Sequence, residues 1–296
     1  MFIKVKKFIE MLRPHQYLKN LFIFLPLFFG LKINNADLLF NAFLAFIAFS
    51  LIASSVYIFN DIFDIKSDRA HPVKKHRAIA SGKISVLAGC VAILVLLCLS
   101  VLPILYVDHN VISLLLLYVI LNISYTVALK HIAIMDVSII AIGFVIRIFV
   151  GSVVTGVPLS MWIVLLTFLL ALFLALAKRK DDVAFYLRTG RRTRGSVDGY
   201  SMEILNGLMI MMATVTIVSY IMYTISPEVI TYFHSDKIYL TVFFVMLGIM
   251  RYVQISYLEN KGSSPTEVLI KDGFIQFCLA GWILTFAVLI YFNPLF

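Results

Sequence analysis

Apolar residues run along this chain in long stretches separated by short polar segments, and the stretches lack both the alternation of a half-buried strand and the narrow stripe of a soluble helix. About 20 apolar residues cross the roughly 30 Å of bilayer hydrocarbon as a helix. Eight stretches near that length stand out, at 37–59, 84–106, 111–129, 132–155, 159–177, 202–225, 236–257 and 273–293, and a shorter, aromatic ninth lies at 17–31. The pattern predicts an all-α polytopic membrane bundle of about nine transmembrane helices, forming a single domain over 1–296. Its chemistry is expected in two polar segments, 60–84 and 178–200.

Composition agrees. The 296 residues are 61% hydrophobic and 14% charged, with a mean hydropathy of +0.98, more apolar surface than a soluble domain can bury. With nine spans and a cytoplasmic N-terminus, 22 of the 25 lysines and arginines fall on the cytoplasmic side. Lys32 and Lys237 fall outside and Arg147 within a span, so the positive-inside rule places the N-terminus in the cytoplasm. Segment 17–31 lacks a small-residue cleavage pattern and is read as a span rather than a signal peptide. Lys4, Lys6, Lys7 and Arg13 are expected to rest on anionic headgroups. Cys90, Cys98 and Cys278 lie within spans without metal-ligand spacing and read as packing residues.

The polar segment after the span at 37–59 reads Asn60-Asp61-Ile62-Phe63-Asp64-Ile65-Lys66-Ser67-Asp68-Arg69-Ala70-His71-Pro72. On a helix, Asp61, Asp64 and Asp68 sit at offsets of 0, +3 and +7 and share one face, flanked by Asn60. Carboxylates clustered at a membrane surface are costly and mark a functional site. An all-oxygen set suits Mg²⁺, which takes one or two carboxylates and completes its shell with water and phosphate oxygens. A blander alternative is a solvated helix end whose acids pair with Lys66 and Arg69. Arg69, His71, Lys74, Lys75, His76, Arg77 and Lys83 follow, so the segment offers metal ligands beside cations for phosphate oxygens.

The second segment carries Lys178, Arg179, Lys180, Arg188, Arg191, Arg192 and Arg194 against two acids, Asp181 and Asp182. Adjacent acids splay about 100° apart on a helix, so the segment is suited to bind an anion directly, or else is a topogenic charge cluster. Lys130 and Asp136 form a smaller polar element, with Asn122 and Tyr125 on one helix face before it. Arg147, deep within its span, must face the bundle interior, as part of an ion pair or as a ligand contact. His15, Gln16, Lys19 and Asn20 precede the first span, where Lys19 and Asn20 could reach a cytoplasmic cavity. No P-loop, Rossmann or zincin motif occurs, and there is no nucleic-acid-binding module.

Taken together, Asn60-Asp61-x-x-Asp64-x-x-x-Asp68 and the spans resemble the UbiA superfamily of intramembrane prenyltransferases over essentially the full chain. Within it the chain looks most like the decaprenyl-phosphate phosphoribosyltransferase branch. That branch is suggested by Arg13-Pro14-His15-Gln16-Tyr17-Leu18-Lys19-Asn20, by Asp68-Arg69-Ala70-His71-Pro72 with Lys75, Arg77 and Ala80-Ser81-Gly82, by Tyr125, Lys130 and Asp136, by Gly143-Phe144-Val145-Ile146-Arg147, and by Lys178-Arg179. The resemblance implies a helical bundle with a cytoplasmic cavity, with Asp61, Asp64 and Asp68 as catalytic metal ligands for Mg²⁺. Lys19, Asn20, Asn60, Arg69, Lys75, Arg77, Tyr125, Lys130, Asp136, Arg147, Lys178 and Arg179 would contact substrate. The expected reaction moves 5-phosphoribosyl from phosphoribosyl pyrophosphate to a polyprenyl phosphate in the cell membrane. Aromatic-acceptor members carry a second aspartate motif on the later segment, and this chain has none. Aromatic prenyl transfer from a polyprenyl diphosphate, and a non-catalytic transporter or lipid-binding role, stand as alternatives.

Overall fold

The computed structural model describes residues 2–70, 74–190, 195–258 and 265–291. His71, Arg191, Arg192 and Arg194, and the side chains of Lys4 and Lys6, lie outside the described part. Every regular element among the described residues is helical, without strands. In chain order the α-helices are α1 (Phe2–Leu12), α2 (Leu25–Phe29), α3 (Ala36–Phe63), α4 (Ile65–Ala70), α5 (Val86–Tyr106), α6 (Val111–Val127) and α7 (Met135–Thr155). They continue with α8 (Met161–Thr189), α9 (Met202–Ile225), α10 (Pro227–Phe233), α11 (Val242–Leu258), α12 (Pro265–Lys271) and α13 (Gly273–Tyr291).

Seven helical stretches are long and apolar enough to cross a membrane, and α6, at 17 residues, sits at the short end of what a span requires. The shorter stretch at 17–31 is built differently. Pro14–Phe24 is a 3₁₀-helix and α2 completes it. At about 2.0 Å per 3₁₀ residue and 1.5 Å per α residue the pair extends roughly 30 Å. Starts are set by local chemistry. Asn35 Oδ1 accepts from the backbone N–H groups of Asp37 and Leu38 to open α3, Ser85 does the same for Ala88 in α5, and Ser201 for Ile204 in α9.

The largest departure from the expected spans is α8. It runs past residue 177 to Thr189, so Lys178 through Arg188 are helical rather than loop. Ala, Leu, Lys and Arg are good helix formers, and the chain is not interrupted until Gly190, which takes φ 66°.

The chain divides into two compact units, Met1–Ser160 and Met161–Phe296. In the first, α3 packs along α5 and against α6 and α7. It presents Ala45, Ala48, Ser50, Ala53, Ser54 and Ser55 as buried small residues, which let backbones approach where lipid provides no hydrophobic drive. Phe49, Tyr118, Ile146 and Val150 fill the core they enclose. The 3₁₀ segment lies so close to α7 that a Cβ on Gly151 would come within 2.0 Å of the Ile23 carbonyl oxygen. In the second unit α8 pairs with α9 and α11 with α13, around Phe173, Ala177, Met209, Ala213 and Ile249. Cys278 is buried as expected of a packing residue, but Cys90 and Cys98 lie on the exposed face of α5.

Candidate active site

The end of α3 places the acids. Its hydrogen-bond ladder carries through a non-helical Asp64 (φ −91°, ψ 9°), with Asp64 N–H donating to Asn60 O and Asp68 N–H to Asp64 O. At about 100° per residue, Asp68 falls about 20° from Asp61 around the helix and Asp64 about 60° away. The partners follow that division. Arg77 Nη1 bridges Asp61, at 3.0 Å, and Asp68, at 2.7 Å. Asp64 turns aside to Lys130 Nζ, 2.5 Å away. Asp61 also receives Arg13 Nη2 at 2.5 Å. Asp61 and Asp68 are each only 3% exposed, so unbalanced charge there would be costly.

Three acids on one face therefore have positive charge among them, as electrostatics demands, but it comes from Arg13, Arg77 and Lys130. The partners of the blander reading do not supply it: Lys66 is exposed, and Arg69 donates from Nε to Ala80 O at 3.1 Å, tying down the following loop. Arg13, expected at the headgroups, instead reaches an acid 48 positions away and lies 5.1 Å from the Tyr57 ring. It does so from the left-handed region, φ 54° and ψ 56°, which is strained for a non-glycine residue. Burial lowers its pKa, and the Asp61 carboxylate opposes the shift.

The donor set fits a hard divalent cation. It is oxygen only, and the single guanidinium nitrogen shared by Asp61 and Asp68 keeps the bonded oxygens within roughly 6 Å of each other. Among the described residues no three His, Cys, Asp or Glu side chains are placed together to hold a metal ion. An ion here would take much of its coordination from substrate and water, the habit of magnesium.

The remaining expected site residues divide by surroundings. Asn60 Oδ1 accepts from Thr126 Oγ1 at 3.3 Å, linking the acids to the end of α6. Lys130 is 7% exposed, 5.2 Å from the Phe63 ring. Lys19 and Tyr125 are half-buried and Lys75 is exposed. Asp136 is fully buried in the first turn of α7, where the helix dipole favours a carboxylate.

Asn20 and Arg147 belong to a buried cluster. Asn20 Nδ2 donates to Ser50 Oγ at 2.9 Å and its Oδ1 accepts from Arg147 Nε at 2.8 Å. Arg147 also donates to the Gly143 carbonyl at 2.6 Å and to Tyr118 Oη at 3.4 Å, and its guanidinium lies within 4.6–5.4 Å of the Phe49, Tyr118 and Phe144 rings. Of the two expected roles, the ion pair is not formed among the described residues, where the guanidinium is held by amide, carbonyl, phenol and ring faces.

In the second unit, Arg179 is fully buried and donates to Asp182 at 2.7 Å, while Lys178 is half-buried. Two residues, Thr126 and Tyr118, pass unnoticed in a sequence reading of the site, and Lys180 is named there only as one of a basic run. Thr126 and Tyr118 lack charge. Lys180 stands in a charged run where nothing distinguishes it from its neighbours.

Comparison with known proteins converges with this geometry. Residues 23–278 match the UbiA prenyltransferase family. A decaprenyl-phosphate phosphoribosyltransferase of Mycolicibacterium smegmatis is 31% identical, the alignment covering 98% of this chain and 94% of the relative. One of the same name from Corynebacterium glutamicum is 29% identical, covering 97% and 88%. Among solved structures, a UbiA homologue from Archaeoglobus fulgidus bound to DMAPP and Mg²⁺ superposes with a TM-score of 0.72 at 19% identity, over 96% of this chain and 99% of that one. The apolar helices and these relatives agree: this integral membrane protein is a transferase and belongs to the UbiA prenyltransferase family.

Proposed function

We propose that the protein transfers 5-phosphoribosyl from phosphoribosyl pyrophosphate to a polyprenyl phosphate, releasing pyrophosphate, in a Mg²⁺-dependent reaction at the cytoplasmic face of the cell membrane. The observation that carries this reading is the asymmetry of charge. One acidic cluster, Asp61, Asp64 and Asp68, stands against several basic groups, and α8 carries Lys178-Arg179-Lys180 where aromatic-acceptor family members carry a second acid motif. One diphosphate leaving group needs one metal site. The sugar 5-phosphate and the lipid phosphate are anions that bases hold directly. The names of the curated relatives point the same way.

Magnesium held by Asp61, Asp64 and Asp68 would act as a Lewis acid toward charge developing on the leaving pyrophosphate. Arg77, Arg13 and Lys130, which balance the acids in the structure, are placed to exchange part of that pairing for diphosphate oxygens as substrate arrives. As the C1–O bond lengthens, positive charge spreads over the ribose ring and negative charge over the leaving oxygens, where fixed guanidinium groups stabilise it. A lipid phosphate oxygen then bonds to C1. That nucleophile is already anionic, so attack requires positioning rather than a base. The cytoplasmic orientation rests on the lysine and arginine bias.

The test is pyrophosphate release by the purified protein from phosphoribosyl pyrophosphate and a polyprenyl phosphate, with Mg²⁺ and with EDTA. Release that needs both the lipid and the metal supports the proposal. Release only from a prenyl diphosphate with an aromatic acceptor would replace it with the alternative enzyme class.

A further inference from the structure

Lys180 is 4% exposed, and its Nζ is a buried nitrogen without a hydrogen-bond partner among the described residues. What it faces is a ring. The Tyr257 centroid lies 3.1 Å from Nζ. The carboxylates nearest in sequence give it no hydrogen bond: Asp182 receives Arg179, and Asp181, one residue on around α8, is felt by the ammonium only through its charge. A ring face attracts an ammonium but satisfies none of its three N–H donors, and a buried charge is stable only when it is both paired and hydrogen-bonded.

Tyr257 is suited to be a removable cover. It is the second-last residue of α11 and is 40% exposed. Turning its side chain to another staggered rotamer leaves the helix ladder intact and uncovers the ammonium.

We infer that Lys180 is an anion-binding residue, capped by the Tyr257 ring in the free protein and engaging a phosphoryl oxygen when the ring turns away. The ligand class rests on the proposed reaction, whose two substrates both carry phosphate monoesters. Lys180 holds one of them, either the sugar 5-phosphate or the lipid phosphate. Three donors on one nitrogen suit three terminal phosphoryl oxygens.

The test is direct binding to the full-length protein in detergent, titrated separately with ribose 5-phosphate and with geranyl monophosphate, on the parent and on Lys180→Met, Tyr257→Ala and Tyr257→Phe. Lys180→Met should weaken one ligand at least tenfold, and the ligand affected identifies the source. Its melting temperature should equal or exceed the parent's, because the substitution removes an unsatisfied buried charge. Tyr257→Ala should bind that ligand several-fold tighter, since nothing must be displaced, and Tyr257→Phe should bind as the parent does. Parental affinity of Lys180→Met for both ligands overturns the assignment. So does a drop in its melting temperature without loss of binding, the mark of a structural brace. Binding is read without turnover. A protein that transfers no phosphoribosyl but loses binding in Lys180→Met refutes the proposed reaction alone, whereas parental kcat/KM for phosphoribosyl transfer in Lys180→Met refutes this inference alone.

Discussion

The two units handle charge in opposite ways. At the end of α3, Asp61, Asp64 and Asp68 are met by Arg13, Arg77 and Lys130, each reaching in from elsewhere in the first unit. On α8, Arg179 finds Asp182 within its own helix, while Lys180 is left against a ring. Cover does not divide the same way: the apolar windows of α3 and α7 are 61% and 56% buried but that of α5 is 28%, while in the second unit α8, which carries Lys180, is 39% buried and α13 is 17%. The first unit holds a pre-balanced acid cluster, and the second leaves a buried cation against a ring. A balanced cluster resists losing any member, and a cation set against a ring can be lost without harm to the fold. That contrast can be tested.

The largest effect is expected on turnover. Asp61→Asn, Asp64→Asn and Asp68→Asn should each reduce it at least a hundredfold, about 2.7 kcal/mol of transition-state stabilisation, with the fold intact by circular dichroism. Near-parental rates for two of the three at saturating Mg²⁺ would remove the acid cluster from the chemistry.

Packing is the next lever. Gly151→Ala places a methyl 2.0 Å from the Ile23 carbonyl oxygen, and backbone cannot yield as a side-chain tip can. A loss of about 3 kcal/mol or more is expected, read as a lower melting temperature or poor recovery from the membrane. Gly207→Ala on α9 has nothing within 4 Å of the added methyl and should leave stability unchanged or slightly raised.

Removing one cation from the balanced cluster should couple stability to metal. Arg77→Gln leaves Asp68 without its bridging partner and costs about 1–3 kcal/mol in EDTA. Mg²⁺ should restore much of that and stabilise the variant more than it does the parent. A variant indifferent to Mg²⁺ would separate the acids from any metal role.

The smallest effect concerns Asp272, outside the spans. It accepts from the Ile275 backbone N–H to cap α13 and takes a hydrogen-bonded ion pair from Arg251. The Arg251 bonds hold its pKa below the usual carboxylate value. With the folded pKa depressed, its stabilisation is fully present above the unfolded value of about 3.9 and is lost as pH falls through the folded one. Melting measured from pH 6 down to pH 3 should show that loss, and Asp272→Asn, which can still cap the helix but loses the ion pair with Arg251, should be up to about 1 kcal/mol less stable at neutral pH with a flatter acid limb.

Much of the architecture was legible because hydrophobic length is a one-dimensional property. The helices from α3 to α13 that were expected to span begin and end within a few residues of the apolar stretches, apart from α8, the far end of α3 and the start of α11, which a 3₁₀ turn at Ile238–Thr241 precedes. The acid cluster was legible for a similar reason, since offsets of 3 and 7 on one helix specify a shared face before any tertiary contact forms. The α8 overrun could have been read from propensity, because Gly190 is the first residue after the span able to stop the helix cheaply.

The sequence alone determined a helical membrane protein, the face its acids share, the charge bias of its loops and the family resemblance, all functions of spacing along one chain. Only the tertiary structure decided who balances whom. Arg13 meets Asp61 across 48 positions, Lys130 meets Asp64 across 66, and Arg147 meets Asn20 across 127. Partners that distant are chosen by how helices pack, and packing among small residues and aromatic rings leaves little periodic trace in the sequence. For the same reason Lys180 could not be told from Lys178 or Arg179: three cations in a row share a composition, and only the packed structure shows Arg179 paired with Asp182 and Lys180 set against the Tyr257 ring.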